Sequence, residues 1–202
     1  MAMVEDVSGG SPGVEFMEYL AEGKVVRLGP KDVLVVGYFR SCVRDTITGG
    51  TVTIGAERSS VEGGALKSET VQCDGGQLRL STQQASQSGV VVYRSVPKFT
   101  QQSDSSTAVE RTLYGLSPLF DLGGKASKLV VERLDKPGRK LELNLAKAEL
   151  VHGTLYDFAS HGHILAAGGV YRASANGRSV VFKIDASAQP GDAALAGRLI
   201  QL

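Results

Sequence analysis

The chain has 202 residues, room for one large domain or two of about 100 residues each, and its 42% hydrophobic content argues against disorder throughout. Its 22 Lys and Arg against 21 Asp and Glu leave a net charge of +1, without the basic excess of a dedicated nucleic-acid binder. No apolar run approaches the roughly 20 residues of a membrane-spanning helix, so no membrane span is expected.

The 25 glycines, many paired as Gly-Gly, Asp-Gly or Asn-Gly between short Val/Leu/Ile runs, predict an all-β chain with tight turns. The expectation is two small β-sandwich-like units with one or two short helices. Residues 1–13, rich in Gly and Ser with Pro12, read as a flexible lead-in. The stretch from Val14 to Ala21 fits a short helix with Phe16, Met17 and Leu20 on one face. It fits a first strand presenting Val14, Phe16 and Tyr19 equally well.

From Gly23 the pattern sharpens. Lys24 to Leu28 predicts a strand stopped by Gly29-Pro30, and Asp32 to Val36 a second stopped by Gly37. Tyr38 to Thr46 predicts a third, with Tyr38, Arg40, Cys42 and Arg44 sharing one face. Gly49-Gly50 reads as a turn into Thr51–Ile54, and Gly63-Gly64 as another turn after Val61. Glu69 to Cys73 and Leu78 to Leu80 are further strands. Ser81 to Ser88 predicts a one- to two-turn helix capped by Ser81 and ended by Gly89. Val90 to Arg94 closes a first unit spanning 14–96.

Residues 97–118 are polar and short of large apolar groups, which fits a connector between units or a long loop inside one domain. A second unit over 119–202 begins with a strand from Lys128 to Leu134, then a turn at Lys136-Pro-Gly138. Lys140 to Leu145 alternates polar and apolar strictly, the clearest strand signal in the chain. Ala146 to Ser160 is ambiguous, with a short helix suggested at Leu155–Phe158. Val170–Ala173 and Ser179–Ile184 frame Asn176-Gly177, a strong hairpin signal. Arg198 to Leu202 ends apolar and should dock onto a core.

The two cysteines, Cys42 and Cys73, lack metal-type spacing and read as one disulfide, which places the protein outside the reducing cytosol. Free buried thiols are the alternative. A bridge would close a loop of roughly 30 residues, for which chain entropy assigns about 3 to 4 kcal/mol, and its reduction should soften residues 14–96 selectively. The opening residues do not read as a signal peptide. The small apolar opening Met1-Ala-Met-Val4, followed by polar residues, reads as the mature part of a periplasmic or secreted protein.

His161 and His163 form a His-x-His pair with His152 and Asp157 nearby, the residue types of a Zn²⁺ or Cu²⁺ site. Gly162 and Gly168-Gly169 make the stretch look like a turn, so metal binding stays a secondary reading and no cofactor is expected. Ser160, His161 and Asp157 are too close in sequence for triad geometry, and no Gly-x-Ser-x-Gly elbow exists. The Gly-Gly pairs sit between strands without a following Gly-Lys-Ser/Thr, unlike phosphate cradles. Arg40 and Arg44 form either a solvated strand face or a contact stripe for an anionic partner or glycan.

The residues from Gly23 to Gly37, followed by Gly49-Gly-Thr-Val-Thr-Ile-Gly55, resemble the β-rich core of FecR-type periplasmic domains. The stretches Leu165 to Arg172 and Asn176 to Asp185 resemble the closing hairpin of immunoglobulin-like or fibronectin-like modules in bacterial envelope proteins. Cys42, Cys73 and the missing adjacent membrane helix depart from the FecR pattern, which counts against a sigma-factor regulatory role. The resemblances imply a non-enzymatic exported β module that binds or scaffolds an envelope protein. Two other readings follow from the residues. A carbohydrate-binding sandwich would need Tyr19, Tyr38 and Tyr156 along one exposed groove, and a metalloprotein would need the histidines to converge with Asp157.

Overall fold

A computed structural model describes residues 1–10, 13–75, 108–124, 126–136, 138, 140–191 and 193–202. The chain is all-β. Its described helical turns are two short 3-10 segments, Lys147–Glu149 and Leu195–Gly197.

The first half is a six-stranded sheet of β1 (Ala2–Ser8), β2 (Tyr19–Leu20), β3 (Val25–Tyr38), β4 (Val43–Ile54), β5 (Ser59–Glu62) and β6 (Ala65–Thr70). Most of the expected flexible lead-in is in fact β1, Ala2–Ser8. Ala2, Met3 and Val4 are buried, and the strand runs antiparallel to β3, so apolar burial outweighs the Gly/Ser character that follows it. In the Val14–Ala21 stretch a turn around Phe16 and Met17 precedes the short β2, so the helix alternative is not taken.

Gly29-Pro30 and Gly49-Gly50 do not end strands. β3 and β4 run through them as one long antiparallel pair whose register shifts between Leu28 and Val33. β5 and β6 follow each other along the opposite edge of β4, with Gly63-Gly64 between them facing Gly49-Gly50. The glycines make a fold line across the sheet. Gly50 has φ +83°, and a Cβ there would stand 2.5 Å from the Glu62 carbonyl oxygen; one on Gly64 would overlap the Gly49 carbonyl. Folded at this line, the sheet curls and encloses Val26, Leu28, Val52 and Ile54 with Leu34, Val36, Tyr38 and Ile47. Inside the curl the buried Asp45 carboxylate accepts the Ser59 N–H and the Ser68 hydroxyl, each at 2.6 Å, so its charge is not left unsolvated.

The predicted strand from Tyr38 to Thr46 is broken. β3 stops at Tyr38, residues 39–42 form a turn with Cys42 at φ +53°, and β4 starts at Val43. Arg40, Cys42 and Arg44 therefore do not share a strand face. The sulfurs of Cys42 and Cys73 form a disulfide across a Cα separation of 5.6 Å, which ties this turn to the chain just after β6.

In the second half β7 (Arg111–Gly115) lies inside the stretch expected to be a connector and pairs in parallel with a strand near the other end of the half. β8 (Leu119–Asp121), β9 (Lys128–Arg133), β10 (Lys140–Asn144), β11 (Leu155–Asp157), β12 (Val170–Ala175), β13 (Arg178–Gln189) and β14 (Leu199–Gln201) complete it. A five-stranded sheet ordered β10-β9-β12-β13-β7 faces a three-stranded sheet ordered β11-β8-β14. Phe120, Phe158, Ile200 and Leu202 from the smaller side pack with Leu129, Val131, Phe182 and Ile184 from the larger. The alternating 140–145 stretch and the hairpin at Asn176-Gly177 form as predicted. The helix suggested at Leu155–Phe158 is the strand β11, because Leu155 to Asp157 hydrogen-bond to β8. The expected strands at Leu78–Leu80 and Val90–Arg94, the helix at Ser81–Ser88 and residues 97–107 of the connector lie outside the described residues.

The fold line predicts a sharp contrast between glycines. Gly50→Ala should cost about 2 kcal/mol or more in urea unfolding, from a left-handed backbone and a clash with two peptide groups. Gly124→Ala, where a Cβ meets nothing within 4 Å, should change stability by less than about 0.5 kcal/mol. Equal effects would show that the kink does not depend on the missing side chain.

Candidate functional site

The two halves meet in a shared apolar layer. Met3, Met17 and Phe39 from the first half pack with Leu119, Leu155, Leu195, Ala196 and Leu199 from the second, with Tyr19, Val71, Cys73 and Val151 at the border. Polar bonds ring this layer. The Tyr19 hydroxyl donates to Asp121 Oδ2 at 2.8 Å, the Leu195 N–H donates to Glu5 Oε1 at 2.9 Å, and Arg111 pairs with Asp74 at 3.2 Å. Burial and the Asp121 carboxylate push the Tyr19 phenol above its usual range. Glu5 sits at the bulge of β1 and also holds Arg44 at 2.8 Å.

A cleft of about 410 Å³ opens along the junction and is lined in part by Glu5, Phe16, Arg44, Ser117, Leu195 and Arg198. Arg198 Nη1 donates to Asp157 Oδ1 at 2.7 Å and to the Ser117 carbonyl at 2.8 Å, with both charged residues buried. Burial alone would raise the Asp157 carboxyl. Arg198, the Ser160 hydroxyl and the Ala159 N–H outweigh it and hold that carboxyl below the usual value. This pair anchors the turn after β11 to the chain entering β14. The sequence pattern could not show it, because Arg198 is 41 residues from its partner.

That bonding settles what Ser160, His161 and Asp157 do together. Ser160 donates to the carboxylate at 2.7 Å, but the His161 ring bonds the Asp157 backbone carbonyl, so the arrangement is a turn and not a triad. His161 stacks on Tyr156 with centroids 4.4 Å apart, and His163 lies 6.5 Å beyond it. His152 is elsewhere, with Nε2 2.8 Å from the Phe16 carbonyl oxygen. Among the described residues no three His, Cys, Asp or Glu side chains group to hold a metal.

The aromatic residues named for a glycan groove are also dispersed. Tyr38 and Tyr156 are buried, and Tyr19 is half-buried at the junction. Arg44 is held by Glu5 and, at 3.5 Å, by Glu69, while Arg40 is exposed in the turn after β3. No family model, curated protein or solved structure matches the chain. Among the described residues no helix is long and apolar enough to cross a membrane.

The depressed Asp157 carboxyl sets the sign of a pH effect. Its contribution is fully present above the unfolded carboxylate value near pH 4 and is lost as pH falls through the lower folded value. At pH 7, Asp157→Asn should cost about 3 kcal/mol by leaving Arg198 without its buried counter-charge. The gap to wild type should narrow steadily below about pH 4 in chemical unfolding. A gap independent of pH would show that the pair does not carry this stability.

Proposed function

We propose that the protein is a non-enzymatic exported module of the cell envelope that holds a protein partner by the outer edge of β6. The observation that carries this reading is that, among the described residues, β6 pairs with β4 alone and is exposed at all six positions, its core-side Leu66 included. Leu66 pairs across the ladder with the fully buried Ile47, at the rim of the curled sheet, yet is 41% exposed. A strand added by a partner would extend the sheet through main-chain hydrogen bonds and cover Leu66. Lys67 and Glu69 on the opposite face would bias which sequence adds, since like charges placed across a ladder repel.

The strand is also held ready. Gly63-Gly64 fixes its start by the close approach to Gly49-Gly50, and the disulfide fixes the chain beyond its end. Little ordering is then left for binding to impose. The disulfide supports an oxidising compartment, where such a bond persists. The envelope setting rests on the resemblance of the Gly23–Gly55 region to FecR-type domains.

A photoreactive side chain at position 66 tests this reading, with the exposed position 186 in the second half as control. Illumination with envelope fractions should give one discrete protein adduct from position 66 and none from 186. Adding Glu69→Lys to the position-66 protein should weaken that adduct. Matching adducts from both positions, or none from 66, would overturn the assignment of β6 as the contact edge.

A further inference from the structure

Beside the disulfide, where the halves meet, lies an open cavity of about 330 Å³. Met1, Phe39 and Leu199 supply apolar wall, and Arg40, Arg111 and Gln201 supply the polar part. The apolar wall is unevenly covered. Phe39 and Leu199 are buried against the shared layer, whereas Met1 is 59% exposed at the mouth.

Among the described residues, charge in the cavity is unbalanced. Arg111 bonds Asp74 Oδ1 through Nη1 alone, at 3.2 Å, and no bond to Nε or Nη2 is made among the described residues. Arg40 has no carboxylate partner among the described residues. Among the described residues, the two guanidinium groups of the cavity have one carboxylate between them, that of Asp74 on Arg111, beside a wall with no use for a polar ligand. A sugar would find few hydrogen-bonding groups along that wall, and a bare inorganic anion would leave it wet. A guanidinium favours a carboxylate geometrically as well as by charge.

We propose that this cavity binds a small amphiphilic monocarboxylate, a short fatty acid in chemical class. Its aliphatic part lies against Met1, Phe39 and Leu199, and its carboxylate lies on the side of Arg40 and Arg111. This site is separate from the β6 edge and stands or falls independently of the partner assigned there.

The disulfide makes the site conditional on oxidation. Cys42 belongs to the turn that carries Phe39 and Arg40, and Cys73 immediately precedes Asp74 and Gly75. Cys73 Sγ lies 3.5 Å from the Phe39 carbonyl oxygen. Cutting the bridge releases the cationic turn from the segment that holds Arg111 through Asp74.

Octanoate is the probe, with octanol as its uncharged counterpart, titrated into the full oxidised chain and followed by amide NMR. The expected result is saturable shifts confined to Phe39 and Arg40, Arg111, and Leu199 to Gln201, with octanol at least tenfold weaker. Arg40→Gln should weaken octanoate roughly tenfold while leaving the unfolding midpoint unchanged, because the side chain is exposed and has no carboxylate partner among the described residues. Lys140→Gln, far along the second half, should leave octanoate binding unchanged. Reduction of the disulfide should abolish the saturable response. Equal affinity for octanol, an unchanged Kd in Arg40→Gln, or shifts that spread without saturating would each overturn the proposal.

Discussion

The apolar layer between the two halves is the constraint on which the rest of the molecule depends. Met3 and Met17 are fully buried, in a layer to which the second half contributes Leu119, Leu155, Leu195 and Leu199. Removing either half would return these side chains to water, at a cost of about 2 kcal/mol for each large one. Neither half closes its own surface. The surrounding bonds from Tyr19 to Asp121, Glu5 to Leu195 and Arg111 to Asp74 fix the orientation in which the layer packs. Sites at this boundary, including the cleft at Arg198 and the cavity at Arg40, exist only while both halves are folded.

The fold line of the first half produces the other notable surface. A flat sheet of strands as long as β3 and β4 would leave one face exposed, whereas a sheet creased at Gly49-Gly50 and Gly63-Gly64 packs one end over the other. Creasing leaves a rim, and Leu66 stands on it. The same glycines that allow the core to form thus leave an edge strand with an apolar residue uncovered, which is the surface assigned to a partner.

The alternation from Lys140 to Leu145, the Asn176-Gly177 hairpin and the pairing of two cysteines were legible because each is a local or compositional signal. The two long strands β3 and β4 read in the sequence as four short ones. Gly-Gly pairs serve hairpin turns and sheet creases alike, and only the register of the neighbouring strand distinguishes them. β1 and β7 carry no strand signal of their own for a related reason. Their burial is supplied by residues far along the chain, and β7 pairs in parallel with β13, a contact with no local signature. The sequence points to Arg44 but not to its partner Glu5, since a carboxylate in a polar lead-in carries no sign of burial. Arg198 and Asp157 were invisible as a pair for want of any spacing rule.

The disulfide tests the shared layer most directly, because Cys73 and Phe39 border it and the bridge fixes both. Hydrogen exchange of the oxidised and reduced chain reads the outcome strand by strand. If the halves hold each other, reduction lowers protection at the 39–42 turn and β6, and also at β8 and β14, which contain no cysteine. Loss confined to residues 13–75, with β8 and β14 as protected as before, would contradict the shared layer and restore the simpler expectation that the bridge serves the first half alone.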